Sequence, residues 1–259
     1  MVHLNLRMPA ARRLGIGPDD VLAVNPHAVY CHTSSYGPAG PRADWPGYDQ
    51  LFQALCGWEV FGAGEGNPPM WHRFGFMDHL CAMASVVATL LALRRRDDTG
   101  QGQVVAASLL GAGVLTTGET VRLADGTLTP VATVDADQTG IGPGRRIERC
   151  DGGWVAVVDL GDRGVVREPV RENQRDAFYD AAANRAAGLV AAYDHPTWGR
   201  LEQPGALWDL GDLAVRIERP PPLLGEHTVE VLRQVGLDAD AVASLLDAGV
   251  AVSASPAAP

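Results

Sequence analysis

The sequence predicts an α/β protein. Three short β-rich runs, at 2–6, 28–33 and 103–107, alternate with stretches of helical periodicity. That alternation is the pattern of strands laid side by side with helices on their faces. The longest helical stretch carries Leu80, Met83, Val87, Leu90, Leu91 and Arg94 at helical spacing, which predicts one buried stripe along it.

Composition narrows the function classes. The chain has 259 residues, enough for one sizeable core or one domain with a smaller appendage. Its apolar content of 46% and charged content of 20% are those of an ordinary soluble protein. A formal charge of −10 argues against nucleic acid as a partner and gives no reason to expect an anionic membrane surface. The N-terminal residues show no signal-peptide pattern, and the apolar run from Leu80 to Leu93 reads as too short to span a bilayer. Cys31, Cys56, Cys81 and Cys150 form no C-x-x-C pair and no metal spacing with His, so they read as reduced core residues of a cytoplasmic protein. No metal site is expected.

The elements follow in order. Val2 to Leu6 is a strand, Pro9 to Leu14 a helix, Asp19 to Val24 a short helix, and Ala28 to Thr33 a buried strand. SSYGPAGPRADWP at 34–46 is a loop whose three prolines and two glycines fix its course, and Gln50 to Cys56 is a helix with Asp49 as a first-turn acid. Thr99 and Gly100 end the long helix, the strand at 103–107 follows, and Ser108 to Arg122 reads as a further helix. Residues 131–149 are polar and Gly-rich, and CDGGWVAVVD at 150–159 is a hairpin arm. Beyond it lie a helix, a strand, a turn at Pro204 and Gly205, and two terminal helices, at 229–235 and 238–248. The domain plan is a large α/β domain at 1–159, a short connection at 160–185, a return segment at 186–252 and a disordered tail at 253–259.

Asp78 is the candidate catalytic residue. It stands between an aromatic run, Phe74 to Met77, and the long helix, where an N-cap carboxylate accepts orphan backbone N–H groups. Those donors and the positive end of the helix dipole are expected to keep it ionised, as a carboxylate nucleophile requires.

Asp78, its helix, the basic turn, TGQGQ at 99–103 and the strand leading to Ser108, Leu109 and Leu110 together resemble the family III CoA-transferases, the L-carnitine dehydratase and bile-acid-inducible type. NPHAVYCHTSSYGPAGP at 25–41, PGYDQLFQALCG at 46–57 and RPPPLLGEHTVEVLRQVGLD at 219–238 carry the same resemblance in the family's order. It implies a partial Rossmann-like large domain, a C-terminal return segment and an interlinked dimer. It also implies transfer of coenzyme A between carboxylic acids, with acyl-CoA as substrate and no permanent cofactor, through an acyl-aspartyl anhydride and an aspartyl-CoA thioester on Asp78. By position, Asn5, Leu6, Arg7, Arg13 and Tyr48 fall at the CoA, Tyr48 and Gly142 fall where the acyl group is positioned, and the glycines at 140–144 match a loop that closes over it.

Two departures qualify the resemblance. The βα units that open family members are not recognisable, nor is the helical small domain expected after residue 159, so the chain reads either as a fragment or as a natural short form. Racemase relatives carry His where Tyr48 stands, and Tyr is a poor base near neutrality. Racemase chemistry at an acyl-CoA α-carbon is therefore the second expectation. The third is a non-catalytic subunit, in a heteromer with a full-length relative.

Overall fold

The computed structural model describes residues 1–254 except Leu207, Asp209, Ala214 and Glu218. The chain divides into two compact units, Met1–Val170 and the residues from Arg171 onward.

The first unit is built on three parallel strands in the order β1 (Val2–Leu4), β2 (Val29–Ser34) and β3 (Gln103–Ser108). Helices α1 (Met8–Arg13) and α2 (Pro18–Val24) connect β1 to β2, and Pro9 and Pro18 sit where a missing N–H costs nothing. Between β2 and β3 come α3 (Asp49–Leu55), the single turn α4 (Trp58–Phe61) and the 24-residue α5 (Phe76–Thr99). After β3 the chain enters α6 (Leu109–Thr116), whose first turn is capped by the Ser108 hydroxyl accepting the Gly111 N–H at 3.0 Å. Phe52, Met77, Cys81, Leu109 and Ala112 form the core between α3, α5 and α6.

Helix α5 departs from its predicted packing. The buried positions are Met77, Cys81, Ser85, Thr89 and Ala92, while Met83, Val87, Leu90 and Leu91 face outward. The small and polar stripe lets the helix lie close on the sheet, where the Cys31 thiol reaches the Ser85 carbonyl at 3.8 Å. By length and composition the whole of α5 is apolar enough to cross a membrane, contrary to the estimate from residues 80–93 alone. Its inner face, however, packs on β2 and β3, as a core helix does. Gly100, at φ 71°, ends it in the left-handed conformation that glycine adopts without strain.

Other expectations shift as well. Helix α6 stops at Thr116, six residues short of the predicted end, where Thr116 and Thr117 hydroxyls bond back to the Gly113 carbonyl. Leu123 to Thr127 then close a tight turn, with Asp125 accepting from the Thr127 N–H at 2.9 Å. The glycines at 140–144 form no open loop. They begin a four-stranded antiparallel meander of β4 (Gly140–Gly142), β5 (Arg145–Cys150), β6 (Gly153–Asp159) and β7 (Val165–Pro169). Glu148 is held there by Arg146 at 2.8 Å and Arg167 at 3.8 Å. Cys150 is exposed at the strand end, unlike the buried Cys31 and Cys81.

The second unit contains α7 (Gln174–Asp180), α8 (Ala182–Ala186), the hairpin β8 (Val190–His195) with β9 (Gly199–Pro204), α9 (Thr228–Gln234) and α10 (Ala239–Asp247). The hairpin replaces the predicted strand and turn. Its bend is set by buried His195, whose Nδ1 accepts the N–H groups of Thr197 and Trp198 at 3.0 and 3.3 Å. Arg185 and Glu202 make a two-point ion pair at 2.7 and 2.8 Å. Glu226 accepts the Leu223 N–H at 2.7 Å in the turn before α9. Residues 255–259 of the predicted tail lie outside the described residues.

Candidate active site

A cavity of about 500 Å³ opens at the carboxyl ends of the parallel strands. Its walls come from His3 and Leu4 in β1 and Asn5 just after it, from Thr33 to Ser35 at the end of β2, from Leu109 after β3, and from Asp78, Cys81, Ala82 and Ser85 on α5. A crevice at this end of a parallel sheet is where α/β proteins take their ligands. Gly47 closes one side: a Cβ there would come within 2.7 Å of both Phe52 and Ser35, so only glycine lets the loop approach so closely. The loop from Ser34 to Pro46 is braced by the Arg42 guanidinium, which lies 5.6 Å from the Tyr36 ring centre and 5.3 Å from that of Trp45.

Asp78 lies in the first turn of α5 and its side chain reaches the cavity. It is not the N-cap; Gly75 holds that position, and the capping carboxylate comes from another element. Asp49, 3% exposed at the start of α3, accepts the Asp78 N–H at 2.8 Å. The other Asp49 oxygen accepts from the Gln53 amide, which also donates to the Phe74 carbonyl at 3.0 Å. The cap position expected to favour the ionised form of Asp78 is therefore not the one it occupies. Burial, and next the negative charge of Asp49, push the Asp78 carboxyl above its ordinary range, with His79 opposing them. His79 itself turns back to the Gly75 carbonyl at 2.6 Å and stacks on Phe74.

Cys81 lines the same cavity one turn further along. Burial, then Asp78 and Cys31, raise its thiol to about 11, so it stays protonated near neutrality and offers no rival nucleophile. Asn5 and Ser35 line the cavity with side chains that have no hydrogen-bond partner among the described residues, leaving an amide and a hydroxyl for a ligand. The described residues hold no cluster of three or more His, Cys, Asp or Glu able to bind a metal.

Of the residues expected at the site, the structure brings together Asp78 and Asn5. Leu6, Arg7, Arg13, Tyr48 and Gly142 are not in the cavity wall. The Leu6 carbonyl accepts from His32 at 2.9 Å; Arg7 precedes α1 and Arg13 ends it, both exposed. Tyr48 is 76% exposed at the N-cap of α3, and Gly142 ends strand β4 with open space around it. Sequence reasoning missed Ser35, Ser85, Asp49 and Gln53. Asp49 and Gln53, four apart on a short helix, were the available signal.

The family model of CoA-transferase family III matches residues 1–167 and 159–228. Human succinyl-CoA:glutarate CoA-transferase is 22% identical over 293 aligned positions, covering 92% of this chain and 66% of the relative. The (R)-2-hydroxy-4-methylpentanoate CoA-transferase of Clostridioides difficile is 24% identical, covering 95% and 75%. The chain thus spans roughly two thirds to three quarters of the length of these relatives. Among solved structures, a CaiB/BaiF family protein from Brucella suis aligns with a TM-score of 0.70 at 17% identity, covering 90% of this chain and 75% of that one. With its cavity at the strand ends, its carboxylate on the first turn of α5 and a family match over most of its length, the chain belongs to CoA-transferase family III.

Proposed function

We propose that the protein transfers coenzyme A from an acyl-CoA to a carboxylic acid acceptor, with Asp78 as the covalent carrier. The observation that carries this is the placement of the Asp78 carboxylate on the wall of a cavity at the carboxyl ends of β1, β2 and β3. A carboxylate oxygen of Asp78 attacks the thioester carbonyl carbon, the C–S bond breaks, and CoA leaves as a thiolate, giving a mixed anhydride. The thiolate then attacks the Asp78 carbonyl carbon and expels the first acid, leaving an aspartyl-CoA thioester. The acceptor carboxylate attacks this thioester and frees the thiolate, which takes the acyl group and restores the Asp78 carboxylate. Each step exchanges one activated acyl bond for another, which is how covalent catalysis divides a difficult reaction.

The Asp78 N–H is committed to Asp49, so the oxyanions of these steps need other donors. The free side chains of Asn5 and Ser35 supply them in this reading. A carboxylate raised above its usual pKa is also more nucleophilic once ionised. The relatives' names fit the same chemistry: one pairs succinyl-CoA with glutarate, and the other names the carboxylic acid (R)-2-hydroxy-4-methylpentanoate. Arg7 and Arg13 lie exposed at the two ends of α1 and are the cations proposed for the CoA phosphates, with Leu6 and Tyr48 as further proposed CoA contacts.

We further propose that the working form is a dimer, or a complex with a related subunit, in the cytoplasm. The chain exposes 18255 Å². Two separate compact bodies of the units' sizes would expose only about 13,000 Å² in all. The exposed apolar face of α5, with Met83, Val86, Val87, Leu90 and Leu91, is part of that excess. Four free cysteines suit a reducing compartment.

The test is a transfer assay with acyl-CoA donors and carboxylate acceptors, following the product thioester. The purified protein is expected to form the new acyl-CoA, and Asp78→Asn and Asp78→Ala to lose the activity. Turnover undiminished in Asp78→Ala would refute the role of Asp78.

A further inference from the structure

We propose that Gln53 is a positioning residue for Asp78: its buried amide ties Asp49 to the Phe74 carbonyl and so holds the turn that presents Asp78 to the cavity. This rests on the transferase reading above for its kinetic consequences, but the geometry stands apart from it.

Gln53 lies one helical turn beyond Asp49 on α3, fully buried. Its Nε2 donates to Asp49 Oδ1 and to the Phe74 carbonyl at 3.0 Å. Asp49 Oδ2 in turn accepts the Asp78 N–H at 2.8 Å. Phe74 immediately precedes the N-cap Gly75, and Asp78 is the third residue of the helix, so one linked pair of side chains grips the helix start at both ends. Gly75 belongs to the same fit, since a Cβ there would lie 3.3 Å from the Asp49 carboxylate.

The amide can point only one way. A flipped Gln53 would set its oxygen against two acceptors, the Asp49 carboxylate and the Phe74 carbonyl. The orientation it keeps leaves Oε1 buried with no partner. A residue serving packing alone would leave no such orphan, because an apolar side chain of that volume fits the same space without the desolvation cost. The orphan oxygen is tolerated where the two donated bonds fix the geometry of a reactive group.

Two variants and two readouts test this. Gln53→Met keeps the volume and removes both donors. Gln53→Glu offers a single donor, and only while protonated; ionised, it faces the Asp49 carboxylate. For Gln53→Met, kcat is expected to fall about 10²-fold with KM for acyl-CoA within about twofold, the cost of a misaimed group rather than of lost binding. Hydrogen exchange is expected to quicken at the amides of Met77, Asp78 and His79 while β2 stays protected. For Gln53→Glu, activity relative to the parent is expected to rise as pH falls through the glutamate's titration. A Gln53→Met protein with parental kcat and parental exchange at 77–79 would overturn the proposal, as would a Gln53→Glu pH profile that parallels the parent's. Should the parent itself show no transfer, the transferase reading fails while the exchange measurement still decides the positioning role. Should Gln53→Met fail to fold, the Gln53→Glu profile decides it.

Discussion

The two faces of α5 are built by opposite rules. The inner face, with Cys81, Ser85, Thr89 and Ala92, is small and partly polar, yet it is buried. The outer face, with Met83, Val86, Val87, Leu90 and Leu91, is large and apolar, yet it is exposed. A helix that served only to complete this chain's core would have them the other way round. Small residues inward let α5 lie near β2 and bring its first turn, with Asp78, to the ends of the parallel strands. Bulk outward marks a surface suited to a second chain. In the proposed reading the inner face carries the chemistry, and the outer face is left exposed.

The largest effect is expected at the inner face's leading turn. Asp78→Asn keeps the shape and removes the proposed nucleophile, and turnover should fall by at least about 10³-fold, measured as new acyl-CoA formed. Parental activity in that variant would separate the inner face from the chemistry.

Next comes packing. Ala92→Leu adds bulk to a position that is fully buried against the sheet, and is expected to cost about 1–3 kcal/mol in a denaturant titration. The same kind of change outward, Leu90→Ser with Leu91→Ser, is expected to alter the secondary structure of the isolated chain little. It should weaken self-association or subunit association about tenfold or more in sedimentation. Equal effects from the two faces would erase the contrast.

The smallest effects concern pH. The Asp78 carboxyl is raised in the folded protein by burial and by Asp49, so its ionised form is disfavoured there relative to the unfolded chain. The parent therefore gives up some stability as pH rises from the ordinary carboxylate pKa through the raised one. Asp78→Asn is expected to melt slightly above the parent at pH 7, with the gap closing as pH approaches 3.8. The acid limb of the parent's transfer rate should likewise lie above that value, and move down in Asp49→Asn.

Much of the site's scaffold was legible in sequence because it is local. The strand runs, the end of α5 at Gly100 and the presence of Asp78 at the helix start all follow from nearby residues. What escaped depends on distant pairing. Asp49 caps a turn 29 residues away, so Asp78 looked like the cap when it is the capped residue. The stripe of α5 was assigned from hydrophobicity, which marks the surface that some partner will bury without saying which partner. The meander strand β7 and the β8–β9 hairpin owe their order to cross-strand bonds. Ser35 became a wall residue because Gly47 lets its loop pack close, a steric fact no periodicity records.

The most direct single measurement is intact-mass spectrometry of the protein after brief incubation with an acyl-CoA, with peptide mapping and Asp78→Asn alongside. An acyl-sized or CoA-sized adduct on the peptide containing Asp78, missing in the variant, is the predicted result. A turning-over enzyme that shows no adduct when quenched, or an adduct that persists in Asp78→Asn, would contradict a covalent role for Asp78.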